Sequence, residues 1–183
     1  AVTPSFDCQK ATSAVEHMIC VDPLLSRLDR AMATAYRSVR RNRDRIAEQQ
    51  IFLKRRDACA NRDCVRGAYQ SALPDLLTGG EPGGMVLFSR PNHGTLTLLE
   101  MGDGWIAFSV NGMWPTPGGS WNFAEDGGIL RLVNDKSRLR DGDSGCEVEI
   151  HRLAPRRWSV KRTTAEAADG CDGVNATIDG VYR

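Results

Sequence analysis

Six cysteines, placed in pairs by region, constrain this chain more than any other feature. Cys8 and Cys20 bracket the first helical segment, Cys59 and Cys64 follow a long helical stretch, and Cys146 and Cys171 lie where the sequence reads as β. An even count clustered in this way is a disulfide framework, which persists only outside the reducing cytosol. The clustering favours Cys8–Cys20, Cys59–Cys64 and Cys146–Cys171; a crossed arrangement among the first four is the competing connectivity. Structural zinc sites favour short paired spacings, and here the gaps are eleven residues and four, which makes zinc the lesser reading; no Cys-x-x-Cys redox pair is present.

No apolar run approaches the ~18 residues of a transmembrane helix, so no membrane span is expected. Ala1-Val2-Thr3-Pro4 is not a basic, apolar leader. With oxidised cysteines, the expectation is a mature chain after signal-peptide removal, periplasmic or secreted. Net charge is +1, but residues 1–78 carry 13 Lys/Arg against 9 Asp/Glu, and residues 79–183 carry 11 against 14. The basic excess peaks at Arg37, Arg40, Arg41, Arg43 and Arg45, without interleaved aromatics or a groove-reading motif, which argues against a nucleic-acid partner.

Residues 1–78 have helical period. Ser13-Ala14-Val15-Glu16 fits a capping box, and Asp22-Pro23 fits an N-cap and first helical residue. Leu25, Leu28, Met32, Tyr36 and Val39 then keep one buried face. A third helix carries Ile46, Phe52 and Leu53, and a short last one follows the Asn61-Arg62-Asp63 turn. The short connection after the second helix predicts an antiparallel hairpin with the third. Thr78-Gly79-Gly80-Glu81-Pro82-Gly83-Gly84 breaks the pattern, so 79–84 is read as a linker between a helical domain, 1–78, and a β domain, 85–183.

In that second region Met85–Arg90, Thr95–Met101, Trp105–Val110, Gly128–Val133, Cys146–Leu153 and Arg157–Arg162 read as strands. The turn pairs Asp103-Gly104, Asn111-Gly112, Asp126-Gly127 and Asp141-Gly142 fall between or beside them. The fold class is therefore α+β: a disulfide-stapled helical hairpin domain, then a small antiparallel β-barrel-like domain.

Catalytic constellations do not assemble. Gly142-Asp143-Ser144-Gly145 looks like a serine-protease nucleophile segment, yet His17, His93 and His151 sit in no partner motif. No carboxylate pair can be assigned to glycoside hydrolysis from sequence, the histidines are too dispersed for a metal site, and no phosphate-binding loop precedes a helix. No catalytic residue, metal or cofactor is expected. Asn175-Ala176-Thr177 fits a glycosylation acceptor only in a eukaryotic setting. The segment Gly112–Trp121 places Trp114 and Trp121 around a Pro/Gly-rich turn, either as an interface anchor or as a plug for the barrel end.

Ser5-Phe6-Asp7-Cys8, Thr12, Glu16, Ile19-Cys20, Leu28-Asp29, Tyr36, Gln49, Phe52-Leu53, Arg56-Asp57, Cys59 and Cys64 follow one another in an order that resembles the N-terminal domain of the LprI-type lysozyme-inhibitor family. The resemblance covers roughly the first seventy-five residues, with Phe52 where the family often has tryptophan. The ending Cys171-Asp172-Gly173, with Asp179-Gly180-Val181-Tyr182, looks like that of β domains that accompany it. The Ser-Gly-x-x-Tyr motif of barrel-type lysozyme inhibitors is absent.

The resemblance implies an exported bacterial envelope protein, not an enzyme, whose partner is a lysozyme or another muramidase, with a place in virulence. On this reading Trp114 and Trp121 anchor the partner, and Asp141, Asp143, Glu147 and Glu149 give the acidic rim that steers a basic enzyme. The alternative is an envelope adaptor or immunity protein that binds another protein or a glycan through the helical hairpin, including Arg40 and Arg41. A small envelope hydrolase ranks third.

Overall fold

Each helix of the first half starts on a side chain that satisfies its free amide groups. A computed structural model describes residues 2–39, 42–78, 84–91, 93–141, 144–164, 171–172 and 176–183. Arg40, Arg41, the 79–83 join, Gly142, Asp143 and Asn175 lie outside the described residues. The chain divides into two units, Ala1–Gly84 and Met85–Arg183. In the first, α1 (Ala14–Val21), α2 (Pro23–Val39), α3 (Arg43–Asp57) and α4 (Arg62–Leu77) follow a short 3-10 turn at Cys8–Lys10.

Ser13 Oγ accepts from Glu16 N at 3.1 Å and Glu16 Oε2 accepts from Ser13 N at 2.9 Å, a complete capping box. Asp22 Oδ1 takes Leu24 N and Leu25 N at 2.9 and 3.1 Å, and Asn61 Oδ1 takes Cys64 N at 2.9 Å. No helix is long and apolar enough to cross a membrane among the described residues.

The pairing differs from the expected α2–α3 hairpin. Helix α4 runs for 16 residues and is the element on which both α2 and α3 pack, while α2 and α3 touch only slightly. The cause is the distribution of apolar side chains. Helix α3 buries only Phe52, whereas α4 buries Val65, Ala68, Tyr69, Leu73, Pro74, Leu76 and Leu77, against Leu25, Leu28, Met32 and Ala35 of α2. Cys8–Cys20 ties the entry of the chain to α1, and Cys59–Cys64 closes the α3–α4 turn.

In the second unit β1 (Met85–Ser89), β2 (Gly94–Gly102), β3 (Trp105–Pro115) and β4 (Trp121–Arg131) form one antiparallel sheet in that order. A second contains β5 (Lys136–Arg140), β6 (Glu147–Ala154), β7 (Arg157–Arg162) and β8 (Gly180–Tyr182). Leu87, Leu96, Phe108, Val110 and Leu130 of the first meet Val148, Ile150, Trp158, Val160 and Tyr182 of the second in one core. Cys146–Cys171 anchors the chain between β7 and β8 to the start of β6.

The strands do not close into a barrel. At one side Phe88 and Arg183 exchange N–H···O bonds of 3.1 Å each. At the other, Asn134 and Asp135 both take positive φ, 51° and 63°, in a tight turn that pairs only Val133 with Lys136 and sends β5 into the other sheet. There β4 and β5 meet by packing, with no ladder among the described residues. Asp103-Gly104 is the expected turn, both residues having positive φ. Asn111-Gly112 and Asp126-Gly127 are not turns: they run straight through β3 and β4, paired as Asn111–Glu125 and Val110–Asp126.

Candidate functional site

The extra length of β3 and β4 creates an exposed aromatic feature in the β unit. Strand β2 makes its last pair with β3 at Thr95–Asn111, and β4 is the edge of its sheet. Gly112–Pro115 and Trp121–Ala124 therefore pair only with each other among the described residues, as a two-stranded ribbon projecting past the sheet. Its tip is stitched: Thr116 N donates to Ser120 O at 2.8 Å, Ser120 N donates to Thr116 Oγ1 at 3.1 Å, and Gly119 turns the chain at φ 81°.

Directly opposed residues of an antiparallel pair share a face, and successive residues alternate. One ribbon face thus carries Met113, Pro115, Trp121 and Phe123, and the other Gly112, Trp114, Asn122 and Ala124. Trp121 is 46% exposed and Phe123 59%. His93, in the β1–β2 turn, sets its ring edge-on to Trp121, centroids 5.9 Å apart. Trp114 points the other way and packs against the core, its buried indole N–H without a protein acceptor among the described residues. The two tryptophans expected to form one surface are on opposite faces.

Among the described residues, the carboxylates expected to form an acidic rim are each held by a partner. Glu149 receives Lys136 Nζ at 2.9 Å and Arg138 Nε at 2.9 Å, with only 15% of its side chain exposed. The bond from Lys136, and then that from Arg138, hold its carboxyl below the usual carboxylate range. Glu147 accepts from Thr163 Oγ1 at 2.6 Å and faces Arg138 at 3.7 Å. Their sheet face also presents Arg140 and Lys161, so it is cationic overall. Asp141 accepts Ser144 Oγ at 2.6 Å, and the same hydroxyl accepts Cys146 N at 3.2 Å, so the serine of the protease-like segment is engaged in local hydrogen bonds. The ribbon, by contrast, contains no Lys or Arg from Asn111 to Glu125.

Met113, Phe123 and His93 were missed by sequence reasoning. The signal was the period-two alternation Trp121, Phe123, Glu125, masked by reading the segment as one long turn.

The helical unit holds a buried polar lock and a groove. Asp29, 5% exposed, accepts from Ser5 N at 2.7 Å, Ser5 Oγ at 2.6 Å and Tyr69 OH at 2.8 Å, with Arg56 Nη1 at 3.7 Å. Burial, and next the Asp29 charge, push the Tyr69 phenol well above its ordinary value, so it remains a donor. Beside this lock a cavity of about 340 Å³ opens between α3 and α4, floored by Met32 of α2.

No family model matches the chain, and no solved structure matches it. It is similar to Lipoprotein LprI of Mycobacterium tuberculosis and to Lipoprotein LprI of Mycobacterium bovis, 38% identical over 79 residues in both cases. The alignment covers 39% of this chain and 40% of those proteins, so the chain spans about two-fifths of the curated relatives it matches. The residues on which the resemblance rests, Ser5 to Cys64, lie in the helical unit.

Proposed function

We propose that this is an exported bacterial envelope protein that binds another protein, and that its partner is a lysozyme-type muramidase whose substrate cleft the β3–β4 ribbon fills. The observation that supports the reading is the partial similarity to Lipoprotein LprI, a protein named as a lipoprotein. Three disulfides support folding in an oxidising compartment.

The ribbon supplies the physical means. Two strands ~5 Å apart make a narrow wedge, and a stitched tip presents Trp121 and Phe123 at low entropic cost. Aromatic rings can lie against the walls of a sugar-binding cleft where pyranose rings would stack. A wedge without cations also meets a basic enzyme without repulsion, while the Lys136–Arg138–Arg140 face would oppose one.

The test is lysis of a cell-wall suspension by animal and bacterial muramidases with the oxidised chain added. Inhibition is expected, and Trp121→Ala with Phe123→Ala should weaken it by about tenfold or more, as for loss of a central aromatic anchor. Full lysis at several-fold molar excess across all the enzymes would refute the reading.

A further inference from the structure

We infer a second interaction surface, in the helical unit: the α3–α4 groove is a docking site for an amphipathic helix of a protein partner, entered with a carboxylate in the partner's first turn. This goes beyond the muramidase reading and uses residues the ribbon does not.

The groove's volume of about 340 Å³ lies within the ~300–1,000 Å³ range of ligand clefts. Its walls are apolar, from Met32, Phe52, Ala68, Ala72 and Leu76, and Gln49 and Ser71 give it polar lips. Ile51 stands on its rim 67% exposed, an apolar side chain that the helical unit leaves to solvent. The small residues Ala68 and Ala72, one turn apart on α4, let a second backbone approach closely.

Charge gives the groove a direction. Of the consecutive cations Lys54, Arg55 and Arg56, only Arg56 turns inward, to Asp29 and Asp57. Arg55 lines the groove, is exposed, and makes no ion pair among the described residues. The other end carries Glu48, paired with Arg45 at 2.8 Å, and Asp75. Glu48 and Arg55 are seven positions apart on α3, about 10 Å at 1.5 Å per residue. That is two helical turns, the reach of apolar anchors at i, i+3 or i+4, and i+7.

Arg55 sits in the last turn of α3, where the helix dipole is negative. A partner helix therefore lies antiparallel to α3, with its positive N-terminus and first-turn carboxylate at Arg55. A fatty acyl chain fits less well, since charged and polar side chains, Arg55, Glu48 and Gln49, line the groove beside its apolar walls.

The test uses two synthetic helical peptides of about sixteen residues, long enough to hold a helix, with leucines at i, i+3 and i+7. One carries Glu in the first turn and Lys in the last, and its twin has these exchanged. Binding to the oxidised full chain is read by fluorescence anisotropy.

The first peptide is expected to bind about five-fold or more tightly than the twin, the scale of a partly exposed charge pair. Arg55→Glu should reverse that order, and Ala72→Phe, which fills the groove, should abolish both. Arg55→Glu is an exposed substitution and decides the question even if Ala72→Phe fails to fold. Equal binding by the two peptides, an order unmoved by Arg55→Glu, or uptake of decanoate with no peptide bound would overturn the proposal.

Discussion

Converting Asp29 to asparagine keeps its size and removes its charge, so it isolates what the buried carboxylate contributes to the helical unit. The carboxylate accepts three hydrogen bonds of 2.6 to 2.8 Å and lies 3.7 Å from the Arg56 guanidinium. An amide has one acceptor oxygen. If that oxygen serves Ser5, its NH₂ turns toward Tyr69, and Arg56 loses its buried counter-charge. Bonds to charged groups contribute about 1.5–3 kcal/mol each, and breaking a buried pair costs about 3–5 kcal/mol, from which the retained Ser5 bonds subtract.

A net loss of about 2–3 kcal/mol is expected, and about 1.5–3 kcal/mol for Tyr69→Phe. Because the two share one bond, the double variant should fall short of the sum by about 1 kcal/mol. Guanidinium unfolding followed by circular dichroism at 222 nm reads this out, with a midpoint shift of about 1 M for a unit of this size. All four tryptophans, Trp105, Trp114, Trp121 and Trp158, lie in the β unit, so fluorescence follows that unit separately. An unmoved midpoint for Asp29→Asn, or additivity within about 0.3 kcal/mol, would refute the lock.

Glu149 predicts an acid limb for the β unit. Its folded carboxyl is held below the ordinary value, so its stabilisation is complete above the unfolded value and disappears as pH falls through the folded one. Glu149→Gln should therefore flatten that part of the fluorescence midpoint against pH; an unchanged profile between pH 6 and 3 counts against the pairing. Gly128→Ala places a Cβ 2.1 Å from Leu139 Cδ2, so Leu139 must move, at about 1–3 kcal/mol. Trimming by Leu139→Ala should recover part of that loss in the double variant, measured by thermal melting, and strict additivity would show that the two do not press on each other.

Helix starts were legible because a cap is a local device: Ser13, Asp22 and Asn61 each bond the turn that follows them. The disulfides were legible in the same way, since each closes within one region. Helix pairing was not, because the third helix carries apolar residues without burying them, as Ile51 shows. Asp126-Gly127 read as a turn from its residue types. The carboxylate is instead held by Arg162, 36 positions away, a partner no local window contains. The ribbon was hidden by the same bias, and with it the fact that Trp114 and Trp121 face opposite ways. Charge counts misled for a third reason: Glu147 and Glu149 are acidic by composition, but strand pairing sets them among Lys136 and Arg138.

The two seams between the sheets are built from different chemistry. Where Phe88 meets Arg183 the sheets are joined by backbone, which almost any sequence can supply. At β4–β5 they are joined by side chains: Gly128 against Leu139, and Arg162, from the inner face of β7, bonded to Asp126 and Asp172. Such a seam is rewritten one codon at a time, without re-registering a strand. Asp126 follows directly on the ribbon in β4, so a substitution at 126 or 162 acts on the strand that carries the exposed aromatics Trp121 and Phe123.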